Sequence, residues 1–115
     1  MDRELQYLAP GATAPRPIRV SISIPVQNVT TAGGTDWSCV LTIDGFPEAY
    51  STPFCGVDAI QAMIFAMSTA PTAVESLTRS AGGGRVTFLG DENLGFPTFP
   101  AMHCADMDGE NPAKQ

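Results

Sequence analysis

Three cysteines and one histidine make up the thiol and imidazole inventory of this 115-residue chain, and their placement decides what nucleophilic or metal chemistry is open to it. Cys55 directly precedes Gly56-Val57-Asp58-Ala59-Ile60-Gln61-Ala62, a turn running into an apolar helix. The free amides and positive dipole end of a helix N-terminus favour a thiolate, so Cys55 is the candidate reactive thiol. The competing reading makes it a small hydrophobe filling the corner where the helix meets a sheet. A thiol enzyme also needs a base, and the single imidazole, His103, lies far along the chain on a loop segment.

His103, Cys104 and Asp106 put three potential ligands into four residues, with Cys39 or Cys55 available as a fourth. Paired Cys-x-x-Cys or His-x-x-x-His sets are missing, so neither a metal site nor a cofactor is expected. Gly82-Gly83-Gly84 leaves a helix and enters a strand, whereas a phosphate-cradling P-loop runs from strand to helix and ends in lysine and a hydroxyl residue. The triplet reads as a helix stop. Asp91 and Glu92 are adjacent acids in a loop, the pattern of a solvated turn rather than an acid/base pair. Nowhere do nucleophile, base and orienting group stand together, so the chain reads more as a binder than as an enzyme.

A binding reading gathers on the helix. Asp58 and Gln61 stand one turn apart beside Phe65, on the side opposite the expected apolar stripe. An aromatic anchor ringed by polar groups is the usual form of a protein-docking patch. Phe96, with Pro97, Phe99 and Pro100, would extend it. The expected binding residues are therefore Asp58, Gln61, Phe65 and Phe96. Alternatively, a loop of the same chain folds over Phe65.

The elements that must position these residues follow from periodicity. Ile18, Val20, Ile22, Ile24 and Val26 alternate with polar residues and predict a half-buried strand, with Pro25 marking where it leaves the sheet. Thr30 to Thr35 reads as a flexible connection. Trp37, Cys39, Leu41 and Ile43 alternate again, and Asp44-Gly45 predicts a tight hairpin into a third strand, Phe46 to Ser51. The helix starts near Val57 and Asp58, with Ala59, Ile60, Met63, Ile64, Met67, Ala70 and Val74 expected to cover the sheet. Pro71 kinks or splits it. Arg85 to Leu89 is the last strand. The predicted order is β-β-β-α-β: an α+β fold with an antiparallel sheet and one long or Pro-kinked helix packed on one face. Residues 1–17 are expected to form an extended arm, small and proline-rich from Ala9 to Pro17, with Leu5, Tyr7 and Leu8 before the prolines offering a short strand; 18–105 form one α+β domain; 106–115 form a disordered tail.

Composition narrows the partners. Twelve acidic against six basic side chains give a net charge of −6, which disfavours nucleic acid and anionic membrane surfaces and favours a basic protein. No apolar run reaches the roughly 18 residues of a membrane span, and the N-terminal residues lack a secretory pattern. An odd number of irregularly spaced cysteines fits reduced thiols, so a cytoplasmic location is expected.

Trp37-Ser38-Cys39, the Gly56-to-Ala62 helix start and Leu89-Gly90 with Gly95-Phe96-Pro97 resemble a family of small bacterial domains of unknown function. The resemblance spans Ile18 to Pro97 and departs from the family at Pro71. It implies no activity, substrate or catalytic residue. Two functions are expected on these grounds. The first is a non-catalytic protein-binding domain of a bacterial cytosolic protein, with an immunity or antitoxin-like partner as one form. The alternative is a small enzyme or ligand-binding domain with a cleft at the helix start around Cys55, Asp58 and Gln61. A homodimer through the third strand or the face bearing Phe65 is a further expectation.

Overall fold

Six antiparallel strands and one helix make up the computed structural model, which describes residues 1–97. In chain order they are β1 (Asp2–Leu8), β2 (Arg16–Ile22), β3 (Val26–Thr31), β4 (Gly34–Asp44), β5 (Tyr50–Gly56), α1 (Ala59–Ser80) and β6 (Arg85–Thr87). The α+β class and the helix laid on one face of an antiparallel sheet are as the sequence predicts. His103, Cys104, Asp106, Phe99, Pro100 and the expected tail lie outside the described residues.

β4 is the axis of the sheet. Along one edge it pairs with β5 from Trp37–Gly56 to Ile43–Tyr50. Along the other it pairs with two strands end to end: β2 against its C-terminal half, β3 against its N-terminal half. β1 then pairs with β2 on one side and β6 on the other.

Residues 1–17 are therefore not a free arm. Leu5 and Tyr7 alternate with exposed Glu4, are buried, and place β1 in the interior of the sheet. The short strand that Leu5, Tyr7 and Leu8 offer is thus real, but three apolar residues before the prolines are too few for periodicity to set it inside a sheet.

The strand expected from Ile18 to Val26 is broken in two. Pro25 has no amide hydrogen to give a ladder, and the chain bends at Ser23-Ile24-Pro25. Ser23 bridges the gap: its N–H donates to Val40 O at 3.0 Å and its hydroxyl oxygen accepts the Val40 N–H at 2.8 Å. β3 then resumes the ladder, with a bulge between Gln27 and Val29. Thr30 to Thr35, expected as a flexible connection, is instead the end of a hairpin in which the Thr31 hydroxyl donates to Gly34 O at 3.0 Å.

Asp44-Gly45 does open an antiparallel connection, but the next strand begins at Tyr50 rather than Phe46. Phe46 turns inward, its ring 5.0 Å from that of Tyr7, and closes one end of the core. Gly45, at φ +114, lies so close to Ile18 that a Cβ would meet Ile18 Cγ2 at 2.7 Å.

The core lies between sheet and helix, built from Leu5, Tyr7, Ile18, Val20, Ile22, Cys39, Leu41 and Ile43 under α1. α1 runs unbroken through Pro71. Its buried face is Ala62, Ala66, Ala70, Ala73, Val74 and Leu77, which corrects the expected stripe: only Ala70 and Val74 are shared, and Ile60 is 68% exposed. The reason is steric. The sheet presents large side chains, so a row of alanines lets the helix backbone come close, near enough for the Cys39 S–H to donate to Ala62 O at 3.2 Å. The larger Met63 and Met67 are left to flank that contact line, partly buried.

The helix ends as its glycines require. Gly83 N–H reaches back to Thr78 O at 2.9 Å and Gly82 N–H to Arg79 O at 3.1 Å, with Gly82 at φ +103. These bonds satisfy carbonyls that the last helical turn leaves free.

Candidate functional site

Residues Asp58 and Gln61 are brought together, but for the helix itself. Asp58 is the N-cap: its Oδ1 accepts the Gln61 N–H at 2.8 Å, and Gln61 Oε1 accepts the Val57 N–H at 2.8 Å. This reciprocal arrangement is a close variant of the capping box, satisfying amides that a helix start leaves without partners. Gly56 is buried beneath it, where an added Cβ would come within 2.6 Å of Ala62 N. The corner that Cys55 was expected to fill is thus occupied by Gly56.

Cys55 points the other way. Cys39 pairs with Phe54 and faces the helix, while Cys55 pairs with Ser38, one residue out of step. Successive side chains alternate across a strand, so the two thiols are on opposite faces of the sheet, Cys39 buried and Cys55 exposed. Burial pushes the Cys39 thiol above its ordinary value of 9.0, with a smaller upward contribution from the neighbouring Cys55. Phe65 is half-buried on the helix. Among the described residues, no group of His, Cys, Asp and Glu is arranged to hold a metal ion.

Phe96 is the one expected binding residue that lines a substantial cavity. Between the C-terminal half of α1 and β6 lies an open cleft of about 650 Å³. Val74, Val86, Leu94 and Phe96 give it an apolar lining. Its rim carries charges of both signs: Arg79 with Glu75 at 3.7 Å, and Arg85 with Glu92 at 2.8 Å. Thr72, Thr78 and Asn93 add polar groups. Cys55, Asp58, Gln61 and Phe65 do not line it.

The far wall of the cleft is a loop held by its own side chains and by the first strand. Phe88 and Asp91 exchange backbone hydrogen bonds at 2.8 and 3.0 Å across a turn with Leu89 at φ 53 and Gly90 at φ 84. Asp91 Oδ1 accepts the Asn93 N–H and Asn93 Oδ1 accepts the Gly95 N–H, both at 2.9 Å, two successive side-chain turns. The carboxylates of Asp91 and Glu92 thus serve a turn and an ion pair respectively, as their adjacency suggested. Arg3 then clamps the loop. Its guanidinium stands 4.5 Å from the Phe88 ring centre and 4.8 Å from that of Phe96, and its Nη1 donates to Leu94 O at 3.1 Å.

Sequence reasoning missed this cleft because its lining is spread over helix, strand and loop from Pro71 to Phe96, and no local motif marks it. The signal within reach was the Asp-x-x-Gln spacing at 58 and 61, which is a capping pattern before it is a binding one. Chemically, the cleft offers apolar area, hydrogen-bonding hydroxyls and exposed ion pairs that a ligand could exchange for its own.

Among the described residues, no helix is long and apolar enough to cross a membrane. No curated protein matches the chain, and no solved structure matches it. Residues 1–98 do match a family model described as a domain of unknown function, DUF6968. With the match covering most of the chain, from the first strand through the loop that walls the cleft, this protein belongs to the DUF6968 family.

Proposed function

We propose that this domain is a non-catalytic protein-binding module of the bacterial cytoplasm, and that it docks a segment of a basic partner in the cleft between α1 and β6. The observation that carries this reading is the cleft itself: an apolar lining with a rim of solvent-exposed ion pairs, on a chain of net charge −6. Apolar surface supplies the driving force, and a rim carboxylate such as Glu75 or Glu92 gives a lysine or arginine of the partner a place to land. An immunity or antitoxin-like role, in which an acidic protein covers the site of a basic enzyme, is the form of partnership this charge balance fits best. Among the described residues, Cys39 and Cys55 lie unbridged on opposite faces of the sheet, which supports a reducing compartment.

The alternative, a catalytic or ligand-binding cleft around Cys55, Asp58 and Gln61, has less to recommend it. The Asp58 and Gln61 side chains are engaged in capping α1, and Cys55 faces away from the helix-covered side of the sheet.

Affinity purification from the native cells, comparing the natural chain with Glu75→Arg/Glu92→Arg and with Phe65→Glu, tests the proposal. One stoichiometric basic protein is expected with the natural chain and with Phe65→Glu, and lost with the double reversal while the thermal unfolding curve is retained. No partner, or a partner held equally by all three, overturns it.

A further inference from the structure

The three free edges of the sheet are not alike. β5, on one side, carries Pro53 at its centre, which removes a backbone donor and spoils that edge for pairing. β6, on the other, is three residues long, begins at the charged Arg85 and turns away at once through Phe88 to Asp91. β3 has neither of these safeguards, its one irregularity being the bulge between Gln27 and Val29. Its six residues, Val-Gln-Asn-Val-Thr-Thr, contain no proline and no charge, and β-branched side chains dominate. Among the described residues it pairs only with β4. Ile24, just before it, is 76% exposed, and Val26, its first residue, 49% exposed.

Natural edges of this length are normally blunted with lysine, proline or a cover. Here charge points to what occupies this one. From Val20 to Thr35 the chain carries no ionisable side chain, although its net charge is −6. Two copies meeting at most other surfaces would bring like charges together, whereas along β3 they meet none. A two-fold axis would set β3 antiparallel to itself, the same patch serving both sides, and would bring Ile24 and Val26 of each copy towards the shared edge. We propose that β3 is a homodimerisation strand, joining two sheets into one through edge-to-edge pairing with a second copy of this chain. This interface differs from the segment Phe46 to Ser51 and the Phe65 face considered from the sequence. β4, β2 and β1 stand between it and β6, the strand that walls the cleft, so the dimer would present two open clefts.

Sedimentation equilibrium of the full chain tests this, alongside Val26→Lys/Thr30→Lys, which places charges on two exposed positions of β3, and Ile60→Lys on the exposed face of α1. The natural chain and Ile60→Lys are expected at twice the mass of Val26→Lys/Thr30→Lys, with circular dichroism unchanged in all three. Amide exchange in β3 should be slower in the natural chain than in the lysine variant. A monomeric natural chain overturns the proposal, including the case in which β3 amides are protected within a monomer because another part of the same chain covers them. A dimer that survives the β3 lysines, or that Ile60→Lys abolishes, overturns it as well.

Discussion

Arg3 lies with its guanidinium carbon 4.5 Å from the centre of the Phe88 ring, tying the first strand to the loop that follows the last. With Phe96 near it at 4.8 Å and Leu94 O accepting its N–H, the arginine serves as a clamp for the cleft wall. Each ring contact of this kind contributes about 0.5–1 kcal/mol where solvent still reaches it. Arg3→Ala is expected to cost about 1–2 kcal/mol in urea unfolding and to expose the peptide bond after Phe88 to chymotrypsin. Arg3→Lys should fall between, since an ammonium keeps the charge but not the flat stacking surface.

Leu89 is the one non-glycine residue among the described ones with a positive φ, and it is 87% exposed. Its side chain gains little from packing while its backbone holds a conformation that costs an L-residue roughly 1–2 kcal/mol. Leu89→Gly and Leu89→Asn should therefore raise the melting temperature, a few degrees for each kcal/mol gained. Calorimetry checks this directly.

The helix start makes the opposite prediction. Asp58→Ala removes the N-cap and should cost about 1 kcal/mol, with Asp58→Ser close to neutral. Gly56→Ala forces a methyl against the Ala62 amide and should cost about 1–3 kcal/mol by overpacking. If Asp58 and Gln61 instead formed a ligand site, Asp58→Ala would leave stability untouched, and equilibrium denaturation distinguishes the two.

Pro71 interrupts the hydrogen-bond ladder of a helix that nonetheless continues to Ser80. Proline in a helix interior is about 3 kcal/mol less favourable than alanine, and Pro71→Ala should recover part of that as a higher denaturation midpoint. Pro71 also lines the cleft, so the same variant reports whether its ring shapes partner binding: affinity would fall while stability rises.

Stability should also decline in alkali. The folded Cys39 thiol holds its proton above the ordinary value of 9.0 because it is buried, whereas the unfolded thiol ionises near that value. The unfolded state therefore binds fewer protons in this window. The contribution of Cys39 is complete below pH 9.0 and is lost as pH rises towards the folded pKa. Comparing urea unfolding between about pH 8 and about pH 10, the natural chain should lose more stability than Cys39→Ala.

Much of this fold could be read in the sequence where a local pattern coincided with burial. Ile18, Val20 and Ile22 alternate and are buried, Cys39, Leu41 and Ile43 do the same, and Asp44-Gly45 does begin a reversal. The errors share a cause. A helical projection through Ala59, Ile60, Met63 and Met67 sets the stripe to one side of the true contact line, because packing against a sheet of large side chains rewards the small Ala62 and Ala66. The alternation from Ile18 runs on to Val26, whereas β2 ends at Ile22 and β3 starts afresh at Val26, with the Ser23 hydroxyl taking the Val40 N–H in the break. The cleft had no local pattern to read, since helix, strand and loop face one another there only in the folded chain.

The pairing of β1 with β6 sets an order of events. β1 is made first on the ribosome, but one of its two neighbours, β6, is separated from it by five other elements. The hairpins around β4 can close as soon as they emerge, whereas the β1–β6 contact must wait for almost the whole described chain and bear a large loop-closure entropy. A nascent domain stalled before Arg85 would hold β1 with one edge bare. Its last step of assembly would be the one that finishes the cleft, so completion of folding and competence to bind would arrive together.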